Sequence, residues 1–400
     1  MEFTEFIMTL GFPPAAAETA EKFWRAGPVR EEMPHFLLPE FWETYYPRLG
    51  AAAPLPESFA RVRAAAEKSP ALRVYANLLH DRAFLAVPSF SPGTLRLPPE
   101  VLGDDTGALQ LLLAMAALPL WEERNRKRGW PEECVDGVAR WIGGTIPTYQ
   151  AAHGGKTGHD IGQTFWLRRS LDGELFRLGR LEFEPQTPPD WLPAVFRQRG
   201  GGETVALCRD GWYLDAEGFR TDTYAPGTAR AALDYGRGRV RGVPVDLRTG
   251  RALPGRTREL PLDGYECLFP AYQTLAGVHI PGGERMGLEA VRESLRAARE
   301  FFPRYLHKEL AGFCCVSWIF NPDWQAELPD SNLARFQRLA NLTPVRSSPQ
   351  SGLFFVFGRA ADDYSAFPAD NPMQRAFHRL REKGRRLREG GMFLLPEEIG

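Results

Sequence analysis

L-A-G-V-H-I-P-G-G-E-R-M-G-L-E-A-V-R-E-S-L-R-A-A-R-E-F-F, residues 275–302, has the pattern of a strand, a glycine-rich turn and a helix. Residues 275–280 are apolar except for Gly277 and His279, as in a buried strand. The Pro281-Gly282-Gly283 run ends the strand, since proline donates no ladder hydrogen bond and glycine permits tight turns. Apolar residues then recur at spacings of three and four, on one helical face: Leu288, Val291, Leu295, Ala298 and Phe302. Because backbone N–H groups gather at such a helix start, the turn is either a phosphate site or simply a tight strand-to-helix connection.

Composition limits the classes of partner. The chain has 400 residues, 44% of them hydrophobic and 25% charged, which favours two globular domains. A net charge of -1 gives no overall field to attract nucleic acid or an anionic membrane, so we expect neither partner. The five cysteines show no C-x-x-C spacing, which argues against a disulfide framework or zinc site. We therefore expect a cytoplasmic protein without a metal, and the sequence sets no oligomeric state.

The order of predicted elements gives the fold class. Residues 1–150 show helical spacing between proline-bearing turns and predict an all-helical N-terminal domain. Residues 151–400 carry hairpin signals, with strands at 164–169 and 175–184 on either side of Asp172-Gly173. A buried strand at 311–320, helical residues at 321–340, strands at 343–348 and 352–358, and a basic helix at 372–388 follow the opening segment. The predicted class is α+β, a helical domain followed by a mixed-sheet α/β domain.

This order resembles the GNAT (Gcn5-related N-acetyltransferase) fold. Residues 278–280 would be its fourth strand, 313–320 its fifth, and 281–287 its pyrophosphate turn, although G-G-E-R-M-G matches the usual R/Q-x-x-G-x-G/A form only in part. Four further segments resemble a bacterial acyltransferase family with a helical N-acyltransferase N-terminal domain and a GNAT-like C-terminal domain: F-R-L-G-R-L-E-F-E (176–184), V-H-I-P-G-G (278–283), V-S-W-I-F-N-P (316–322) and L-P-D-S-N-L-A-R-F-Q (328–337).

The resemblance implies an acyl-CoA-dependent N-acyltransferase. Acetyl-CoA or another acyl-CoA would be the substrate, and the amine of a small-molecule acceptor would attack the thioester directly, without a covalent enzyme intermediate. In that family the turn holds the pyrophosphate and the adjoining strand backbone lies along the acyl-CoA. The predicted contacts are therefore Ile280, Gly282, Gly283, Arg285 and Gly287.

Three polar residues at the ends of the two strands are further candidates. His279 is either a general base for the acceptor amine or a structural histidine that orders the turn. Ser317 is a candidate catalytic residue that needs a hydrogen-bond partner in so apolar a strand. Asn321 either bonds the pantetheine amide of CoA or caps the following helix.

Two other functions stay open at this point. One is a binding protein that keeps the GNAT scaffold without catalysis. The other is a hydrolase with Ser317 or Cys315 as nucleophile and His279 as base, joined by Asp330 in a serine triad. No G-x-S-x-G elbow is present to support the serine version.

Overall fold

The computed structural model describes residues 1–50, 54–86, 90–222, 226–282 and 284–400. They form two compact units. The first contains Met1–Leu178 with Pro281–Glu284, and the second contains Gly179–Ile280 with Arg285–Gly400. The first unit is built from helices and the second from sheets with flanking helices, so the predicted α+β class is confirmed.

Helices form the first unit, and their apolar faces make its core. In α7, for example, eight of ten residues are buried, and Trp121 of α8 is completely buried. The strand β1 (Phe176–Leu178) ends the unit. The helices are α1 (Phe3–Leu10), α2 (Pro14–Arg25), α3 (Pro39–Tyr45), α4 (Glu57–Lys68), α5 (Pro70–His80), α6 (Pro99–Leu102), α7 (Thr106–Met115), α8 (Ala117–Arg128), α9 (Glu133–Ala152) and α10 (Phe165–Asp172).

One helical stretch within the described residues, Pro99–Arg128, is long and apolar enough to cross a membrane by length and composition. Of its most apolar window, 61% is buried inside the protein. Core helices also pass this test, because a helix that is apolar all round is buried either in lipid or in a protein core. Here most of the apolar surface is already covered by protein.

His159 makes the stability of the helical unit sensitive to acid. The residue is completely buried, and its Nδ1 lies 2.8 Å from the Thr145 hydroxyl. Burial lowers the pKa of His159 from 6.5 to about 4. The unfolded chain therefore binds a proton more readily below pH 6.5, and the free energy of unfolding falls as the pH drops from 6.5 toward 4. We expect His159 to cost about 2 kcal/mol at pH 5 relative to pH 7.

Urea unfolding of the wild type and of His159→Gln at pH 7 and pH 5 measures this cost. The variant should be less stable at pH 7 but should lose about 2 kcal/mol less on acidification. An equal loss in both proteins would assign the acid sensitivity to other groups.

The second unit contains the remaining strands and helices. Its strands are β2 (Leu181–Gln186), β3 (Ala194–Gln198), β4 (Thr204–Leu207), β5 (Tyr213–Leu214), β6 (Arg220–Thr221), β7 (Ala229–Arg230), β8 (Leu233–Gly236), β9 (Arg239–Gly242), β10 (Pro244–Asp246), β11 (Arg251–Ala252), β12 (Arg258–Pro261), β13 (Tyr265–Cys267), β14 (Thr274–His279), β15 (Leu310–Ser317), β16 (Asn341–Thr343) and β17 (Gly390–Leu394). Its helices are α11 (Leu288–Phe301), α12 (Trp324–Glu327), α13 (Asn332–Leu339), α14 (Leu353–Phe357) and α15 (Pro372–Glu382).

The central sheet of this unit runs in the order β2-β14-β15-β17-β16. The β14–β15 pair is parallel, whereas β2–β14, β15–β17 and β16–β17 are antiparallel. Helix α11 joins the parallel strands, as such a crossover requires. Its buried residues include three of the apolar positions read from the sequence, Val291, Leu295 and Ala298. Leu288 is half-buried, and Phe302 is buried just beyond the end of the helix.

The structure corrects several predicted elements. The predicted strand at 164–169 is wrong, because these residues lie in α10, which buries Leu167 and Leu171 four positions apart. Gly173, taken for a hairpin turn, ends that helix with φ +76°. The predicted strand at 352–358 is the short helix α14, set between left-handed glycines at both ends. A run of apolar residues has no periodicity that separates the two structures.

Candidate functional site

The two parallel strands of the central sheet part before they end. Their ladder runs to the pair Gly277 and Cys314, and no further pair joins them in the described part of the chain. Strand β14 continues to His279, which pairs with Glu182 on β2, and β15 continues to Ser317, which pairs with β17. Each strand end therefore stays with its outer neighbour. The result is a cleft at the carboxyl ends of β14 and β15, where ligands of α/β sheets commonly bind.

One wall of this cleft carries an imidazole and two carboxylates. His279 Nε2 lies 3.5 Å from Glu184 Oε1, close enough for an ion pair when the ring is protonated. Glu182, opposite His279 in the register, is buried. About a third of the His279 side chain is exposed, so the ring reaches solvent. A proton acceptor beside a fixed carboxylate is the arrangement that general-base chemistry needs.

Gly277 makes room for this cluster. A Cβ atom there would lie 2.5 Å from Gln186 Nε2 and 2.7 Å from Glu184 Cγ. A larger residue there would force the Gln186 and Glu184 side chains to shift away from the strand. Gln186 in turn donates a hydrogen bond to Cys314 Sγ, 3.1 Å away, which holds the neighbouring strand edge.

Ser317 and Cys315 lie on the other face of the sheet. Residues paired in register share a face, so Gly277, His279 and Cys314 point one way and the two candidate nucleophiles the other. The Ser317 hydroxyl accepts a hydrogen bond from the Ile319 N–H, 3.3 Å away. Burial raises the pKa of the Cys315 thiol, which keeps it protonated. The structure thus brings neither candidate to His279, and the hydrolase alternative gains no support.

Asn321 contacts Asp323, the residue through which it was expected to act on the following helix, but Asp323 itself is the N-cap of α12 and no side chain caps that helix. Its Oδ1 accepts a hydrogen bond from the Asp323 N–H, 3.1 Å away, just before α12. Its backbone carbonyl accepts from Gln337 Nε2 at 2.8 Å. The residue is completely buried, which places its side chain inside the unit.

The turn after β14 has an open helix start. No side chain caps α11, whose N-cap is Gly287, and no described atom lies within 4 Å of where a Cβ of Gly287 would be. Arg285 is exposed and forms no ion pair with any residue that the structure describes. Ile280 and Met286 pack against the apolar cluster around Trp324 and Phe377. This end of the turn offers N–H groups and a guanidinium to an anion.

The other predicted turn glycines lie in a different environment. Gly282 is exposed within Pro281–Glu284, the segment that groups with the first unit. Glu284 of that segment forms an ion pair with the buried Arg177, 2.9 Å away. Gly283 lies outside the described residues. Phosphate binding by either glycine stays a prediction.

The sequence did not single out Glu184. Its alternation with Glu182 in F-R-L-G-R-L-E-F-E puts both carboxylates on one face of β2, and that signal was present. The sequence of β2 alone does not show which strand pairs with it or which residue faces Glu184, because the register of antiparallel strands depends on the whole sheet.

The cluster of His279, Glu182 and Glu184 is not interpreted as a metal site. Within the described ranges, no group of three or more His, Cys, Asp or Glu side chains is arranged to hold a metal ion.

Comparisons with known proteins agree with this topology. Three solved structures match over 99% of both chains: an acyltransferase with decanoyl-CoA and teicoplanin (TM-score 0.63, 19% identity), an acyltransferase mutant with octanoyl-CoA (0.63, 19%), and an acyltransferase with CoA and 10C-teicoplanin (0.59, 19%). At this identity the likeness shows a shared fold. No curated protein matches the chain.

A family model gives the closer assignment. The model of the GNAT-like C-terminal domain matches residues 175–394, more than half of the 400-residue chain. The matched range contains the parted strands, His279 and the helix start at Gly287. The chain therefore belongs to the family of proteins with a GNAT-like C-terminal domain.

Proposed function

We propose that this protein transfers an acyl group from an acyl-CoA to the amine of a small-molecule acceptor. The family of its C-terminal domain supports this function, as does the fold it shares with acyltransferases bound to decanoyl-CoA, octanoyl-CoA and CoA. One of those structures also holds teicoplanin, which supports a small-molecule acceptor. The cytoplasmic location and bacterial source expected from the sequence stay predictions.

The parting of β14 and β15 is the observation that carries the proposal. Beyond Gly277 and Cys314 the facing strand edges no longer bond one another. Such edges present N–H and C=O groups to the amides of a pantetheine arm. At the carboxyl end of β14, the start of α11 and Arg285 would meet the pyrophosphate, where dipole and charge both favour an anion.

The chemistry needs one proton acceptor. The acceptor's amine loses one proton before it attacks. Its neutral nitrogen then attacks the thioester carbonyl carbon, the C–S bond breaks, and the proton released from the new amide nitrogen passes to the sulfur, so that CoA leaves as the thiol. His279 takes the proton that the amine loses, and Glu184, 3.5 Å away, stabilises the imidazolium that results. No enzyme nucleophile takes part, in keeping with the placement of Ser317 and Cys315 on the opposite face.

Ligand-induced stabilisation tests the proposed function. Wild-type protein should unfold at higher temperature in the presence of CoA or decanoyl-CoA, since ligand at 100 times its Kd adds about 2.7 kcal/mol to the free energy of unfolding. Gly287→Ala should fold normally, because its φ of -72° suits alanine and nothing lies near the new methyl group. It should bind CoA more weakly, because the methyl group would occupy the space beside the phosphate.

Two results separate the alternatives. The absence of any shift at millimolar CoA and decanoyl-CoA would contradict acyl-CoA binding. A shift without CoA release in the presence of amines, including teicoplanin-type acceptors, would favour the binding protein without catalysis.

A further inference from the structure

A cavity of about 660 Å³ lies within the second unit, and no residue of β14 lines it. Acidic lining residues are Asp215, Asp222 and Asp362. Six positive and three negative side chains give the lining a formal charge of about +3. The basic members are Arg220, Arg346, Arg381, Arg385, Arg386 and Arg388, and we call this space the arginine cavity.

Part of this positive charge is neutralised. Arg388 lies 3.2 Å from Asp215 and also pairs with Glu217. Arg346 Nε lies 2.7 Å from Asp222 Oδ1, but more than half of the Arg346 side chain is exposed, so its other donors remain accessible. Arg381 and Arg385 are also paired, with Asp363 and Glu217. When these two carboxylates are counted, the formal charge around the cavity falls from about +3 to about +1.

Arg220 is one of two members, with Arg386, that form no ion pair with a described residue, and only Asp222 and Asp190 attract it at longer range. Its guanidinium lies 4.5 Å from the ring centre of Trp212, and it forms no ion pair with any residue in the described ranges. Its Nε is buried without a hydrogen-bond partner among those residues. Burial, and then repulsion by Arg346, lower the pKa of Arg220, although the group remains charged at neutral pH. The positive charges of Arg220 and Arg346 thus lie near each other on one wall of the cavity, and a bound dianion would reduce the repulsion between them.

We propose that the arginine cavity binds a phosphate monoester. Guanidinium groups present planar pairs of N–H donors that match phosphate oxygens, and Thr221 also lines the wall. The source is either the 3′-phosphate of CoA or a separate phosphorylated molecule. Arg388 lies two residues before Gly390, which pairs with Ser317 at the carboxyl end of β15, so this wall of the cavity is close in sequence to the strand that ends beside the cleft. The site itself does not depend on the proposed acyl transfer.

Calorimetric titration with inorganic phosphate, against sodium chloride of equal ionic strength, tests the site. We expect Arg220→Gln and Arg346→Gln each to weaken phosphate binding at least about tenfold, the loss of a charged hydrogen-bonding group. Arg239→Gln is the matched control, since Arg239 is an exposed arginine of the same unit paired with Glu259. It should leave the phosphate affinity unchanged. Arg346 is exposed, so its variant keeps the test valid if Arg220→Gln fails to fold.

No phosphate binding by the wild type at millimolar concentration, or equal weakening in all three variants, would overturn the proposal. Titration with CoA and dephospho-CoA identifies the source. If Arg346→Gln weakens CoA but not dephospho-CoA, the 3′-phosphate occupies the cavity. If it weakens phosphate alone, a separate phosphorylated molecule does. If the protein binds phosphate but not CoA, the phosphate site is supported and the proposed function is contradicted. If it binds CoA but not phosphate, the proposed function is supported and the phosphate site is contradicted.

Discussion

Replacement of His279 by alanine should lower kcat for acyl transfer by about 10²–10⁴-fold, the usual contribution of a positioned general base. The imidazole lies at the end of β14, beside the parted strand edge, and 3.5 Å from Glu184. An amine acceptor is protonated at neutral pH and attacks only after it loses a proton. Without the imidazole, that proton must leave to water from a site that the strands partly shield.

The measurement is CoA release under single-turnover conditions, with the Kd for acyl-CoA determined separately. The affinity should change little, because the proposed CoA contacts are backbone groups and Arg285. His153→Ala, which removes an exposed histidine of the helical unit, is the matched control. Turnover by His279→Ala at the wild-type rate would assign His279 its structural role. Loss of thioester hydrolysis in Ser317→Ala would instead revive the hydrolase.

The sequence was sufficient for the elements that bear the site. Strand β14, the turn and helix α11 each have a local signature in apolar spacing, proline and glycine, and the fifth strand of the resemblance is β15. Their order carried the family resemblance, which the domain match confirmed. Local patterns of this kind predict the element correctly in any fold that buries one of its faces.

The register of the strands, and therefore which side chains share a face of the sheet, could not be predicted from the sequence. Glu184 meets His279 only because β2 lies antiparallel to β14 in one particular register, and Ser317 turns away from His279 because of strand alternation combined with that pairing. Strand β17, which continues the sheet beyond β15, was missed because its G-G-M-F-L run is short and begins with two glycines. In a segment without a periodic pattern, contacts with the rest of the fold decide whether it becomes a strand or a helix, and α14 is a second example.

Gly390→Ala should lower the free energy of unfolding by about 3 kcal/mol, at the upper end of the usual cost of overpacking. Gly390 is the first residue of β17 and pairs with Ser317 at the end of β15. A Cβ there would lie only 1.9 Å from the Phe320 carbonyl oxygen and 2.5 Å from its carbon. Backbone strain plays no part, because Gly390 is not among the glycines with positive φ.

The clash cannot be relieved by rotating the Phe320 carbonyl. The completely buried Gln337 side chain donates to the carbonyls on either side of it, at 2.6 Å to Ile319 and 2.8 Å to Asn321. Moving the turn would break these bonds and leave buried polar groups unpaired, which costs about 1–3 kcal/mol each. The strand β17 must shift instead, and with it the end of β15 that bounds the cleft.

Urea unfolding of Gly390→Ala beside Gly287→Ala distinguishes a steric cost from a general effect of replacing glycine. Gly287→Ala introduces the same methyl group into open space, so its stability should stay within about 0.5 kcal/mol of the wild type. Equal stability of the two variants would mean that the turn at Trp318–Phe320 yields freely. In that case the edge of β15 would be too mobile to hold a pantetheine arm against β14. The proposal that the cleft binds the pantetheine arm would then be contradicted.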